Sequence, residues 1–261
     1  MVLHIKIIRN IYMIARLFCL YLKENQVIHK DLYILYLLTA LFSSSLLITY
    51  IIIPLAYADT INPGVYPINS KPFGKSYGEW GARWWQWNYA IPKKDNPISD
   101  KTGEKCAVGQ SGPVWFLAGT TGGGVERTCT IPAGKAIMFP IVNGEFSFAG
   151  NPEIKTEAGL RASVKDNIDK TIVLGASVDG HELKDLRNYR APSPLFTLYY
   201  PPDNVVGFAP NTSSGDVADG YLIILEPLPV GNHEISFKGA LSDPTGINNF
   251  ATEAKYHLIV K

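Results

Sequence analysis

Between Ser76 and Pro92 the apolar positions fall into a helical rhythm. Tyr77, Trp80, Trp84, Trp87 and Ile91 recur three or four residues apart and so share one face, while Trp85 and Tyr89 form a second, shorter stripe. Glu79, Arg83, Gln86 and Asn88 keep the polar side. Ser76, followed three residues later by Glu79, predicts a capping box at the helix start, and Pro92 ends the helix. Burying about 150–250 Å² per ring at about 25 cal/mol/Å² gives a gross gain of roughly 11–19 kcal/mol for Trp80, Trp84 and Trp87 together. That stripe is therefore expected to pack into a core. Trp85 lies off it, where a ring can meet solvent or a flat ligand.

Downstream the texture changes from helical spacing to short alternating runs. Strands are predicted at residues 114–118, 125–131, 135–142, 171–178, 195–200, 221–226, 234–238 and 255–260. A second helix is predicted at 155–170, where Leu160, Val164 and Ile168 follow four-residue steps. Asp179-Gly180 predicts a type I′ hairpin turn. The glycine-rich stretch 119–124 is not followed by the Gly-Lys-Ser/Thr of a phosphate loop and is read as a flexible hairpin tip. Short strands separated by turn signals argue for a mainly β fold: an antiparallel sandwich or jelly-roll-like body with an N-terminal aromatic helix and one further helix. The expected organisation is a single domain at 76–261, a Pro- and Gly-marked linker at 59–75, and a separate N-terminal segment at 1–58.

That first segment changes the picture of location. Residues 32–58 carry no charge, a run long enough to span a bilayer. Lys6, Arg9, Arg16, Lys23 and Lys30 precede it against Glu24 and Asp31, which predicts a cytoplasmic N-terminus and a domain sent outward. Ala56-Tyr57-Ala58 is a small-x-small site of the kind signal peptidase reads. The chain is thus expected to be secreted after cleavage behind Ala58, or held by residues 32–58 as a membrane anchor, with the domain extracytoplasmic in both cases. In an exported domain Cys106 and Cys129 form an even pair and are expected to be a disulfide, because a metal or redox pair would be more closely spaced. Beyond Ala58 acidic side chains slightly outnumber basic ones, so there is no basic field to hold nucleic acid.

The string Tyr77-Gly78-Glu79-Trp80, Ala82-Arg83-Trp84-Trp85-Gln86-Trp87 resembles a group of uncharacterised exported prokaryotic proteins carrying a YGEWxARWWQW motif. The stretches 106–119 and 131–135 extend the resemblance, which covers roughly residues 71–260. It implies export but brings no activity with it, so no catalytic residue is carried over.

Candidate chemistry is sparse. His181, His233 and His257 would have to converge to bind a metal, and alternation puts His233 inward and His257 outward, so no metal or other cofactor is expected. There is no Gly-x-Ser-x-Gly elbow and no His-Glu-x-x-His. Any two of Glu79, Glu145, Asp219 and Glu226 could form a glycosidase-like pair. Asp216 and Asp219, near Gly220, fall short of a calcium loop. Asn211-Thr212-Ser213 is a glycosylation sequon. Arg83, set among tryptophans, together with Trp85 and Trp115, makes the candidate ligand-binding set.

The functional expectation is an exported binding or structural module of the cell envelope, without catalysis. A glycan hydrolase using paired carboxylates and a membrane-anchored accessory subunit are the alternatives. Membrane contact is expected through the N-terminal segment alone.

Overall fold

A computed structural model describes residues 62–242 and 249–261. The expected anchor and its cleavage site lie outside the described residues.

The first regular element is the aromatic helix α1, Tyr77–Ala90. Its capping box forms as the sequence predicts: the Ser76 hydroxyl accepts from the Glu79 amide, and the Glu79 carboxylate accepts from the Ser76 amide at 2.8 Å. Nine strands follow among the described residues, with a second helix, α2 (Glu157–Asp169), between the third and fourth. They are β1 (Val114–Phe116), β2 (Gly123–Ile131), β3 (Ala136–Ser147), β4 (Thr171–Val178), β5 (His181–Glu182), β6 (Phe196–Tyr200), β7 (Thr212–Leu225), β8 (Gly231–Leu241) and β9 (Phe250–Val260).

The strands form two sheets, ordered β1-β3-β7-β6 and β2-β9-β8-β4-β5. Their inner faces meet through Ile137, Phe139, Ile141 and Ile223 on one side and Ile235, Phe237, Ala254 and Tyr256 on the other. Phe139 stacks on Phe237 with ring centroids 4.8 Å apart. The fold is mainly β and sandwich-like, as the alternation implies. Asp179 and Gly180 both have positive φ and join β4 to β5, the signature of the expected type I′ turn.

Two details depart from the sequence reading. The first sheet carries α1 on its outer face, so most of β3 and β7 is buried on both sides. Through its pairing with β6 and β3, β7 starts at Thr212, well before the expected 221. The second departure is the glycine-rich loop, which is not a hairpin tip. β1 pairs in parallel with β3, and β2 pairs in parallel with β9 in the other sheet, so the loop switches the chain between layers.

Nor is 59–75 a free spacer over the residues described. Val65 bridges to Leu225, the Tyr66 amide donates to Ile224, and the Asn62 side chain exchanges two hydrogen bonds with the Lys184 backbone. Cys106 and Cys129 are joined by the expected disulfide, with Cα atoms 6.1 Å apart. Among the described residues no helix is long and apolar enough to cross a membrane.

Candidate functional site

α1 packs closely because Gly81 faces β7 and Gly78 faces the segment before β6. A Cβ on Gly78 would lie 2.2 Å from the Pro192 carbonyl oxygen, and one on Gly81 would meet Leu222 at 2.9 Å. This approach buries both aromatic stripes. Trp80, Trp84 and Trp87 donate their indole N–H groups to the carbonyls of Pro72, Leu117 and Val108, each at 2.9 Å, so the rings are buried without losing a hydrogen bond. Trp85 and Tyr89 are covered as well, each only 8 % exposed, because the segment around Tyr200 and Phe208 wraps the second stripe. Trp85 therefore offers no flat platform at the surface.

It does form the wall of a cavity of about 210 Å³. Trp84, Trp85 and Tyr89 come from α1, Ile98 from the 3₁₀ turn Pro97–Ser99, and Gly119 to Thr121 from the sheet-switching loop. The stretch Pro140 to Asn143 of β3 supplies the floor, Val205 and Val206 the rim, and Phe250 and Thr252 of β9 the far side. No charged side chain lines it.

The loops around the cavity are tied down by Arg127, a residue the sequence pattern hides inside a strand. Arg127 is 1 % exposed, and its guanidinium donates to the carbonyls of Asp100 (2.7 Å), Ala118 (2.7 Å) and Gly119 (3.1 Å) and to the Tyr256 hydroxyl (2.6 Å). One buried cation thus gathers the backbone oxygens of two loops, which is why Ile98 and Gly119 are held face to face.

Beside the cavity lies a buried pair of carboxyl groups. The register between β3 and β7 shifts at Pro140/Val142, and after this bulge Asn143, Glu145 and Ser147 take the face beneath α1. Opposite them Asp216, with no exposed surface, lies within reach of Glu145 for the two carboxyls to share a proton. The Tyr89 hydroxyl donates to Glu145 at 3.2 Å and the Tyr200 hydroxyl lies 3.4 Å from Asp216. Burial raises both carboxyls above their ordinary range, and for Asp216 the hydrogen bond and negative charge of Glu145 add to it. Glu145 Oε2 and Asp216 Oδ2 are buried with no hydrogen-bond partner, an arrangement that one proton shared between the acids would satisfy. Tyr89 belongs to both features: its ring lines the cavity and its hydroxyl holds the pair.

The remaining candidates are scattered. Arg83 is exposed and its guanidinium reaches Gln86 at 3.3 Å, so it neither stacks on the tryptophans nor enters the cavity. Trp115 is buried in the sandwich core, 7 % exposed, its indole N–H without a partner. Of the four carboxylates singled out in the sequence, Glu145 alone has a carboxyl partner, and that partner is Asp216. Glu79 caps α1, and Asp219 accepts from Arg190 at 2.6 Å on the opposite face of β7 from Asp216. The two aspartates therefore share no calcium site. His233 pairs with Asp179 and His257 with Glu126, and among the described residues no three metal-ligating side chains converge. Asn211 is exposed at the start of β7, its side chain accepting from Tyr199. Asn143 and Arg127 were missed because a polar residue within an apolar strand carries no local signal of what it faces.

No family model and no curated protein match the chain. A chain of the solved structure described as "Structure of PbICP-C in complex with falcipain-2" aligns at 8 % identity and a TM-score of 0.24, over 57 % of this chain and 100 % of its own. A likeness of that size carries no argument about fold or function.

Proposed function

We propose that this protein is an extracytoplasmic binding module whose small ligand enters the cavity beside Trp85. The observation that carries the reading is the cavity itself: an uncharged recess walled by two tryptophans and a tyrosine, with Asn143 in its floor. Its walls are drawn from a helix, three loops and both sheets, and Arg127 and the disulfide hold several of those pieces in place. A ligand would therefore meet a preformed shape and lose little affinity to ordering the protein.

The disulfide, the charge asymmetry of the N-terminal segment and the uncharged run at 32–58 support export, either cleaved or anchored. In the exported group that the Trp-rich string resembles, the same string would build the same layer. Hydrolysis finds no support in the acid pair, since glycosidase carboxyls stand about 5–10 Å apart around an open cleft. Glu145 and Asp216 instead touch each other, and Asp216 is enclosed.

Tryptophan fluorescence of the purified chain, titrated against a library of small molecules that includes monosaccharides, tests the binding reading. Saturable quenching that disappears in Val206→Trp, a substitution at the exposed rim, is the expected outcome. Intact mass of the protein from membrane and medium fractions, reduced and non-reduced, tests the location.

A further inference from the structure

We infer that Asn211 is a site of N-glycosylation, taking its sugar from a lipid-phosphate-linked donor outside the cytoplasm. The inference rests on the export reading above and adds a covalent modification to it. Asn211-Thr212-Ser213 is the one Asn-x-Ser/Thr triplet in the chain. It falls where the loop after β6 enters β7, and Asn211 is exposed there, as a bulky polar addition requires.

The two groups that define the acceptor are both at the surface. The Asn211 Oδ1 accepts from the Tyr199 hydroxyl at 2.7 Å, while its Nδ2 has no partner among the described residues. Ser213, which supplies the hydroxyl at the third position, is exposed, and that hydroxyl is likewise unengaged among the described residues. The middle residue differs: Thr212 donates its hydroxyl to the Ala209 carbonyl at 2.6 Å. Thr212 and Ser213 pair with β6, but pairing of β7 with β3 starts only at Asp216, so the triplet lies past the end of that ladder.

A local structural duty explains only part of this. Asn211 has a φ of 57°, a left-handed conformation that asparagine tolerates, and the Tyr199 bond holds it there. Neither asks for a hydroxyl at Ser213. Tyr199 is also the cross-strand partner of Ser213 and is 47 % exposed, so a sugar on Asn211 would have an aromatic ring beside it. In the transfer the Asn211 amide nitrogen bonds to the anomeric carbon of the donor sugar as the C–O bond to the lipid phosphate breaks. The phosphate leaves with the bonding pair and the amide gives up one proton.

The test is peptide mapping by mass spectrometry of the protein recovered from cells that naturally make it. Trypsin releases residues 191–238 as one peptide, because no Lys or Arg precedes Lys238 within it. That peptide should carry the added mass of a glycan, and fragmentation should place it on Asn211. Ser213→Ala, which leaves Asn211 and its Tyr199 bond in place, should abolish the addition, whereas Ser213→Thr should keep it. Asn211→Gly, which suits the positive φ, should also abolish it, with thermal melts confirming that each variant is folded. An unmodified peptide, or an addition that survives Ser213→Ala, would overturn the inference. Cell fractionation separates the two readings: an unmodified chain found outside the cytoplasm overturns glycosylation alone, and one found only in the cytoplasm overturns export with it.

Discussion

The two faces of the sheet β1-β3-β7-β6 are packed in different ways. Toward the second sheet the contacts are aliphatic and stacked aromatic side chains such as Phe139, Phe237 and Tyr256. Toward α1 the layer is aromatic but polar at its edges, with indole N–H groups on loop carbonyls, an acid pair whose carboxyls burial raises, and a cavity. A dry interface is stable because it asks for nothing but fit. A layer of amphipathic rings keeps polar tips that must be satisfied one by one, and wherever that network leaves a gap there is room for a ligand. The comparison puts the close dry packing on the first face and the cavity on the second.

The largest expected effect that would break this division is on the dry side. Phe237→Ala should lower unfolding free energy by about 3–5 kcal/mol in denaturant titration, through lost burial and a residual cavity. A loss under about 1 kcal/mol would mean that this face does not dominate. Next, replacing Cys106 and Cys129 together by Ser should cost about 3 kcal/mol in the chain-entropy model, read the same way.

The acid pair sharpens the comparison from the wet side. Burial raises the carboxyls of Glu145 and Asp216, so the pair keeps in the fold a proton that the unfolded chain releases above about pH 4. Their contribution to stability is fully present below the ordinary carboxylate range and is lost as pH rises through the raised folded values. Midpoints of chemical unfolding should therefore fall toward alkaline pH, and Asp216→Asn, which keeps a donor beside Glu145, should flatten that slope. An unchanged slope would locate the titration elsewhere. The smallest effect is at the helix start, where Ser76→Ala should cost about 1 kcal/mol by removing the cap.

What could be read in the chain was local. The capping box, the 3.6-residue stripe and the Asp179-Gly180 turn are set by residues within a few positions of one another, and each forms as expected. The start of β7 was hidden because Ser213, Ser214 and Gly215 have turn chemistry, and only pairing with β3 and β6 makes them a strand. The site was hidden for the same reason. Glu145 was visible as a lone acid, yet its partner sits on another strand and its direction is set by a bulge. Trp85 was read as a ring that can meet solvent, yet it is covered, in part by residues such as Val205 that lie more than a hundred positions away.

The parallel edge between β2 and β9 bears on timing during synthesis. Gly123 pairs with Thr252 and Ile131 with Val260, so a chain emerging amino end first presents β2 long before its partner exists. Until β9 arrives, the second sheet lacks the strand that links β2 to β8. Contacts so distant along the chain form slowly. A polypeptide that stays open until its last strand is delivered is one that can be threaded through a translocation channel and close on the far side.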